Sequence, residues 1–208
     1  MTRVYFTTRF LKPLGFLAAL GPFVWLAWRG WLLSQNPGGE ALGADPVKTI
    51  QVTTGLTVLV LLLLTLTVSP IRRLFHYGEL IRVRRMLGLF GFFYALLHAV
   101  TYFVFDQSLD PGLIWSDTVK HPRIAVGFVA FLMLIPMALT STDAMVRRLG
   151  KRWGLLHRLI YPATALGVLH YLMVQKLDLR VGIPYTLVYG LLMLWRVMPR
   201  GAAAVPKA

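Results

Sequence analysis

The run Lys48–Val68, KTIQVTTGLTVLVLLLLTLTV, holds no charged residue after its first position. Wound as a helix rising about 1.5 Å per residue, about 20 such positions span about 30 Å, the thickness of a bilayer's hydrocarbon core. A stretch of this length and composition reads as a membrane span.

Five further stretches share its character: Lys12–Leu33 before it, then Met86–Phe105, Pro122–Ser141, Leu155–Val174 and Gly182–Val197. Together they predict an all-α, polytopic integral membrane bundle of about six transmembrane helices, a single domain over residues 1–208. The chain is 57% hydrophobic and 14% charged, and its mean hydropathy is +0.64. Soluble domains hold about 45–50% apolar and about 25% charged residues. The excess apolar surface needs an apolar solvent.

Lysines and arginines number 22 against 8 acids, a net charge of +14. The bases do not form a nucleic-acid face, because they fall in short clusters between apolar runs. Arg72, Arg73, Arg82, Arg84 and Arg85 follow the second run, and Arg147, Arg148, Lys151 and Arg152 follow the fourth. Arg3, Arg9 and Lys12 precede the first run; Arg200 and Lys207 follow the last. The alternate connections carry Glu40, Asp45, Asp106, Asp110, Asp117 and Asp178. The positive-inside rule then predicts that both termini are cytoplasmic. Trp25, Trp28 and Trp31 read as an interfacial aromatic belt at the outer end of the first span.

The chain has no cysteine. That excludes disulfides, thiolate-held iron–sulfur clusters and haem attached through C-x-x-C-H. No signal-peptide cleavage pattern follows the first apolar run, which reads as a span. No G-x-G-x-x-G loop or strand–helix alternation predicts a nucleotide-binding domain. The short outer connections leave no room for a catalytic domain, so catalytic residues are not expected.

Ionisable side chains inside a span are costly and mark function. The third run carries His98 in LLHAVTY; the fifth carries His157 in LLHRLIY and His170 in VLHYLMV. His98 and His170 fall at matched depth in the outer half, so two imidazoles from two helices can clamp one iron. His157 precedes His170 by 13 residues, about 20 Å along a helix, a spacing suited to two stacked haems. On an ideal helix those two side chains lie about 140° apart. Pro162 stands between them and can rewind the helix. The competing reading is that each histidine only hydrogen-bonds a neighbouring helix. Zinc is less suited, since it wants three or four ligands at one depth, often with carboxylates or thiolates. Phe92, Phe93, Tyr94, Tyr102, Tyr161 and Tyr171 surround the histidines, and Arg84, Arg85, Arg152 and Arg158 offer partners for haem propionates. Thr101 and Thr164 are candidate partners for the second imidazole nitrogens.

These residues sit in an ordered set of motifs: LGADPVK (Leu42–Lys48), RRMLGL (Arg84–Leu89), LLHAVTY, TSTDAM (Thr140–Met145), LGKRWGLLHRLIY ending at Tyr161, and His170–Tyr171. Over nearly its whole length the chain resembles the haem-binding membrane subunits of the bacterial periplasmic methionine-sulfoxide reductase system (the MsrQ/YedZ family), within the ferric-reductase-like transmembrane group. The resemblance implies one or two b-type haems and an inner-membrane location. It implies a separate periplasmic molybdenum-cofactor reductase that repairs oxidised methionines, with FMN and the quinone pool, or a cytoplasmic flavin reductase, on the donor side.

In the wider group, the third and fifth spans each offer two histidines. Here Arg84 stands 14 residues before His98, where the second histidine would fall. His98 and His170 look like a complete outer pair, while His157 lacks a partner. Three arrangements stay open for an inner haem: ligation by His157 with Arg84 or another residue, a five-coordinate iron, or no inner haem. His76 is a lesser candidate ligand, and His121 reads as a surface residue. The expected function is a transmembrane electron conduit. The rivals are a quinol- or flavin-fed ferric reductase on the same scaffold, and a non-redox transporter or assembly protein.

Overall fold

The computed structural model describes residues 5–175 and 179–198, without the side chains of Thr8 and Leu179. Arg3, Asp178, Arg200 and Lys207 of the charge pattern lie outside the described residues.

The first helix, α1, runs Lys12–Gln35 after a π-helical turn at Thr7–Leu11. Helix α2, Pro46–Leu74, extends beyond the apolar run at both ends. It starts where it does because the Asp45 carboxylate accepts the Lys48 N–H at 3.0 Å and Pro46 stands in the first turn. It continues through Arg72 and Arg73, cations favoured at a helix C-terminus. Helix α3, Ile81–Thr101, follows a 3-10 turn at Gly78–Leu80 and passes into a π-helical turn at Tyr102–Asp106.

Then come α4 (Pro111–Lys120), α5 (Pro122–Leu139), α6 (Asp143–Leu149) and α7 (Lys151–Leu156). A 3-10 turn at His157–Leu159 leads into α8 (Ile160–Val174), and α9 spans Leu179–Val197. The connecting helices α4 and α6 are short and went unforeseen, since cap chemistry rather than a long apolar run marks them. Asp110 accepts the N–H groups of Gly112 at 2.7 Å and Leu113 at 3.2 Å, and Thr142 accepts that of Met145 at 3.2 Å.

Among the described residues, four helical segments are long and apolar enough to cross a membrane: Arg9–Gln35, Pro46–Leu74, Gly78–Asp106 and Pro122–Leu139. The fifth apolar stretch is interrupted by its 3-10 turn, which leaves 15 residues in α8. Helix α9, with 19 residues, carries Arg180 and Arg196 near its ends. The described residues thus form a multi-pass helical membrane protein. Trp28 and Trp31 stack at 5.0 Å on the exposed side of α1.

Helix α2 packs along α3, and α5 along α8. Both pairs are antiparallel: Gln51 meets His98 while Ser69 meets Arg84, and Arg123 meets His170 while Thr140 meets His157. Contacts of α3 with α5 and of α2 with α8 close these four helices into a ring, with α3 and α8 diagonally opposed. Helix α1 flanks α3, and α9 flanks α8 and α2. Leu59, Leu62 and Leu66 of α2 pack with Ala95, Leu134, Met137, Ala163 and Val168 in the core. In lipid, such contacts hold helices together by close packing rather than by escape from water.

The buried threonines of the four-helix ring are satisfied locally. Thr54, Thr65, Thr101, Thr140 and Thr164 are buried, and each hydroxyl donates to the carbonyl four residues earlier at 2.6–2.8 Å. Pro70 has no N–H for the Leu66 carbonyl, and Arg196 Nη2 donates to that oxygen instead at 2.6 Å. Beside Pro22, the Tyr94 hydroxyl donates to the Ala19 carbonyl at 2.7 Å and accepts the Phe23 N–H at 2.9 Å. It sits within one turn of the α1 ladder and ties that helix to α3.

Candidate functional site

The ring of α2, α3, α5 and α8 encloses a cavity of about 510 Å³, inside the range of about 300–1,000 Å³ usual for small-molecule sites. Leu59, Leu62, Leu134 and Ala163 line its inner part. Its other end is polar, built from Gln51, Asp106, Gln107, Asp117 and Arg123. Asp106 and Arg123 are exposed, so that end reaches the surface. Phe131 forms part of the wall, stacked on Phe92 with planes 1° apart.

His98 and His170 enter this cavity from the diagonal helices α3 and α8. Their ring centres are 6.2 Å apart and their planes 81° apart. Two metal–nitrogen bonds of about 2 Å, with a ring radius of about 1 Å on each side, put trans imidazoles about 6 Å apart. The spacing fits one iron between two rings. Among the described residues, no three His, Asp or Glu side chains converge as a metal cluster.

Each imidazole is held the same way. His98 Nδ1 lies 3.0 Å from the Gln51 carbonyl, and His170 Nδ1 lies 2.7 Å from the Arg123 carbonyl. A carbonyl can only accept, so in both rings Nδ1 carries the proton and Nε2 is the nitrogen able to act as a ligand. Four residues beyond each carbonyl stands a glycine. A Cβ on Gly55 would come to 3.0 Å from His98 Cε1, and one on Gly127 to 2.8 Å from His170 Nδ1. Only a residue without a side chain lets the ring lie this close to the helix backbone. Thr54 Oγ1 adds a 3.3 Å contact to His98 Nδ1.

The hydroxyls of Thr101 and Thr164, expected beside the imidazoles, are turned to the Leu97 and Ile160 carbonyls. Backbone carbonyls take their place, because buried threonines in helices satisfy themselves first. Gln51, Gly55, Arg123 and Gly127 were missed. The spacing Gln51-x-x-x-Gly55 and its counterpart Arg123-x-x-x-Gly127, each at the depth of a histidine on a facing helix, was the signal available.

At the polar end, the Gln51 side-chain amide donates to Asp106. Asp117 accepts from the Tyr102 hydroxyl at 2.8 Å and the Gln107 amide at 3.0 Å, and meets His121 Nδ1 at 2.6 Å. His121 is thus partly exposed and paired with Asp117.

His157 lies at the opposite end of the bundle, stacked on Trp153 at 3.9 Å. Its Nε2 is 3.1 Å from Thr140 Oγ1, and that hydroxyl already donates to the Pro136 carbonyl. Nε2 therefore carries the proton in this arrangement, and Nδ1 is the free nitrogen. Arg84 and Arg85 lie within electrostatic reach of His157. Arg84 Nη1 stands 3.4 Å from Ser69 Oγ, and Arg85 pairs with Asp143 at 2.5 Å. The hydrogen bond and charge of Arg85 hold the exposed Asp143 carboxyl below the usual carboxylate range. His76 sits in the loop after α2, in the left-handed region at φ 50. None of Arg84, Arg85, Arg152, Arg158, His76 or His157 lines the cavity.

Residues 51–168 match the family described as ferric reductase like transmembrane component. Those residues include Gly55, Gly127 and His98 and stop just short of His170. A protein-methionine-sulfoxide reductase heme-binding subunit MsrQ of Xanthomonas campestris pv. campestris is 46% identical over 186 residues, 89% of this chain and 85% of its own length. The MsrQ proteins of Xanthomonas axonopodis pv. citri and Rhodospirillum rubrum are 44% identical over 192 residues and 45% over 185. These alignments cover 92% and 88% of this chain, and 88% and 86% of the relatives. No solved structure matches the chain. On this likeness and this architecture, the chain belongs to the MsrQ family of haem-binding membrane subunits, within the ferric-reductase-like transmembrane proteins.

Proposed function

We propose that this chain is a transmembrane electron-transfer subunit that holds b-type haem between His98 and His170. The observation that carries the reading is the facing pair of imidazoles, 6.2 Å apart across an amphipathic cavity. The relatives' name, haem-binding subunit, supports haem as the occupant. The absence of cysteine fits a non-covalent cofactor.

When bound, haem supplies reversible one-electron chemistry. The chain's own residues prepare for it. Donation from Nδ1 to the Gln51 and Arg123 carbonyls fixes the tautomer and leaves Nε2 of each cavity-lining ring available as a ligand. Gly55 and Gly127 admit the rings, while Leu59, Leu62, Leu134 and Ala163 exclude water from the interior. Two imidazoles holding the iron would leave no site open for oxygen or substrate, which favours electron transfer over catalysis.

The topology that fits the charge pattern is six spans in one domain over residues 1–208, both termini cytoplasmic, in the bacterial inner membrane. The His98–His170 end then faces the periplasm. Electrons arrive from the quinone pool or a cytoplasmic flavoprotein, with FMN as a carrier suggested by the family resemblance. They leave for a separate periplasmic molybdenum-cofactor protein-methionine-sulfoxide reductase, supporting repair of oxidised proteins. His157, with Arg84 nearby, is the candidate for a second, inner haem; ligation through Nε2 requires it to release Thr140.

Spectroscopy of the purified protein tests this. A Soret band that sharpens on dithionite reduction is expected, together with co-purification of the periplasmic reductase. Colourless protein from haem-replete cells sinks the reading. Coloured protein that reduces ferric chelates and ignores the reductase favours the ferric-reductase alternative, which the family match itself suggests.

A further inference from the structure

Haem is amphipathic, and so is the cavity. Its two carboxylates cannot lie against Leu59, Leu62, Leu134 and Ala163 without losing their hydration uncompensated. They must turn to the end lined by Gln51, Asp106, Gln107, Asp117 and Arg123. That end also holds two acids of its own, yet each already has its donors. Asp106 takes the Gln51 amide, and Asp117 takes Tyr102, Gln107 and His121.

Arg123 differs from everything around it. It supplies the one lysine or arginine among the residues lining the cavity. It enters neither of the ion pairs seen among the described residues, Arg85–Asp143 and His121–Asp117. Its backbone carbonyl takes His170 Nδ1, so its position is fixed relative to one ring. Its charge lies within electrostatic reach of that ring. A guanidinium with five donors and no acid partner among the described residues is suited to a carboxylate that arrives with a ligand.

We propose that Arg123 is the counterion of a haem carboxylate at the outer end of the cavity, so that one residue secures the axial ligand through its carbonyl and the macrocycle's edge through its side chain. This rests on haem lying between His98 and His170. It departs from the sequence expectation that Arg84, Arg85, Arg152 and Arg158 fill this role, since none of them reaches this cavity.

The test compares wild type, Arg123→Gln and Arg123→Lys, each loaded with haem or with haem dimethyl ester, whose carboxylates are blocked. With haem, R123Q is expected to lose the cofactor at least tenfold faster than wild type. Its reduction potential should fall, because a cation beside the iron is gone, and its resonance Raman carboxylate-bending band should shift. R123K, which keeps the charge, should restore most of the potential. With the diester, wild type and R123Q should lose the cofactor at like rates, whereas a merely structural role for Arg123 would leave that difference intact. Should R123Q fail to fold, wild type and R123K with the two porphyrins still decide, because blocking the carboxylates must then weaken wild type more than R123K. Equal potentials and Raman bands in wild-type and R123Q protein loaded with haem overturn the proposal while the axial ligation stands. Wild-type protein that binds no haem overturns both.

Discussion

The imidazoles of His98 and His170 stand 6.2 Å apart with planes 81° apart, each tied through Nδ1 to a helix carbonyl. The two tethers come from different helices, α2 and α5, so neither ring can turn without breaking its own bond. A shared iron would therefore have nearly perpendicular axial planes. The oxidised protein should give the strongly anisotropic low-spin electron paramagnetic resonance signal of that geometry. His98→Ala and His170→Ala should each abolish this one signal, and His157→Ala should leave it in place. Loss of the signal in H157A with retention in H98A would refute the pairing.

The glycines behind the rings make a second case. A methyl group at Gly127 must displace an imidazole that the Arg123 carbonyl holds in position. Overpacking of this kind costs about 1–3 kcal/mol, and tenfold in affinity corresponds to about 1.4 kcal/mol. Gly127→Ala should weaken haem retention about tenfold or more, and Gly55→Ala somewhat less because its clash is milder. Gly21→Ala, with no atom within 4 Å of the added carbon, is the control and should bind haem normally. Equal retention in all three, measured by haem transfer to an apo-globin, would show that close approach is irrelevant.

The bundle and the meeting of His98 with His170 were readable because both depend on counting. Apolar length gives four spans among the described residues, and residue number within a span gives depth. The tethers were not readable, because the acceptors are backbone atoms that every residue has. Only the two glycines distinguish Gln51 and Arg123 from their neighbours. The 3-10 turn at His157–Leu159 was invisible for a related reason: a proline at 162 announces disturbance, not its form. Each residue of a 3-10 helix turns about 120° rather than about 100°, so three of them reduce the ideal 140° offset of His157 and His170 to about 80°.

The Arg85–Asp143 pair should contribute little despite its 2.5 Å separation, because both side chains are exposed, at 41% and 74%. The lowered folded value of Asp143 means that its stabilisation is present above the ordinary carboxylate range and fades as pH falls through that lowered value. Asp143→Asn should leave the thermal midpoint at neutral pH unchanged at physiological salt, with any difference from wild type confined to low ionic strength. A salt-independent loss of several degrees would mean the pair is more than a surface contact.

Arg196 presents the opposite situation. Its Nη2 donates at 2.6 Å to the carbonyl of Leu66, which is fully buried and has no helical partner because Pro70 lacks an N–H. Leaving such an acceptor unpaired costs about 1–3 kcal/mol. Arg196→Met should therefore lower the thermal midpoint by several degrees, since about 1 kcal/mol corresponds to about 2–4 °C at this chain length. Pro70→Ala returns an N–H to the position from which helix geometry serves Leu66, so the carbonyl no longer depends on α9. The double variant should consequently lose less than the sum of the single changes, by about 1 kcal/mol or more. Scanning calorimetry on the four proteins in one detergent measures that coupling. Strict additivity would mean that Arg196 stabilises through its place over the Tyr161 ring, 5.2 Å away, and that Pro70 and Arg196 are unrelated.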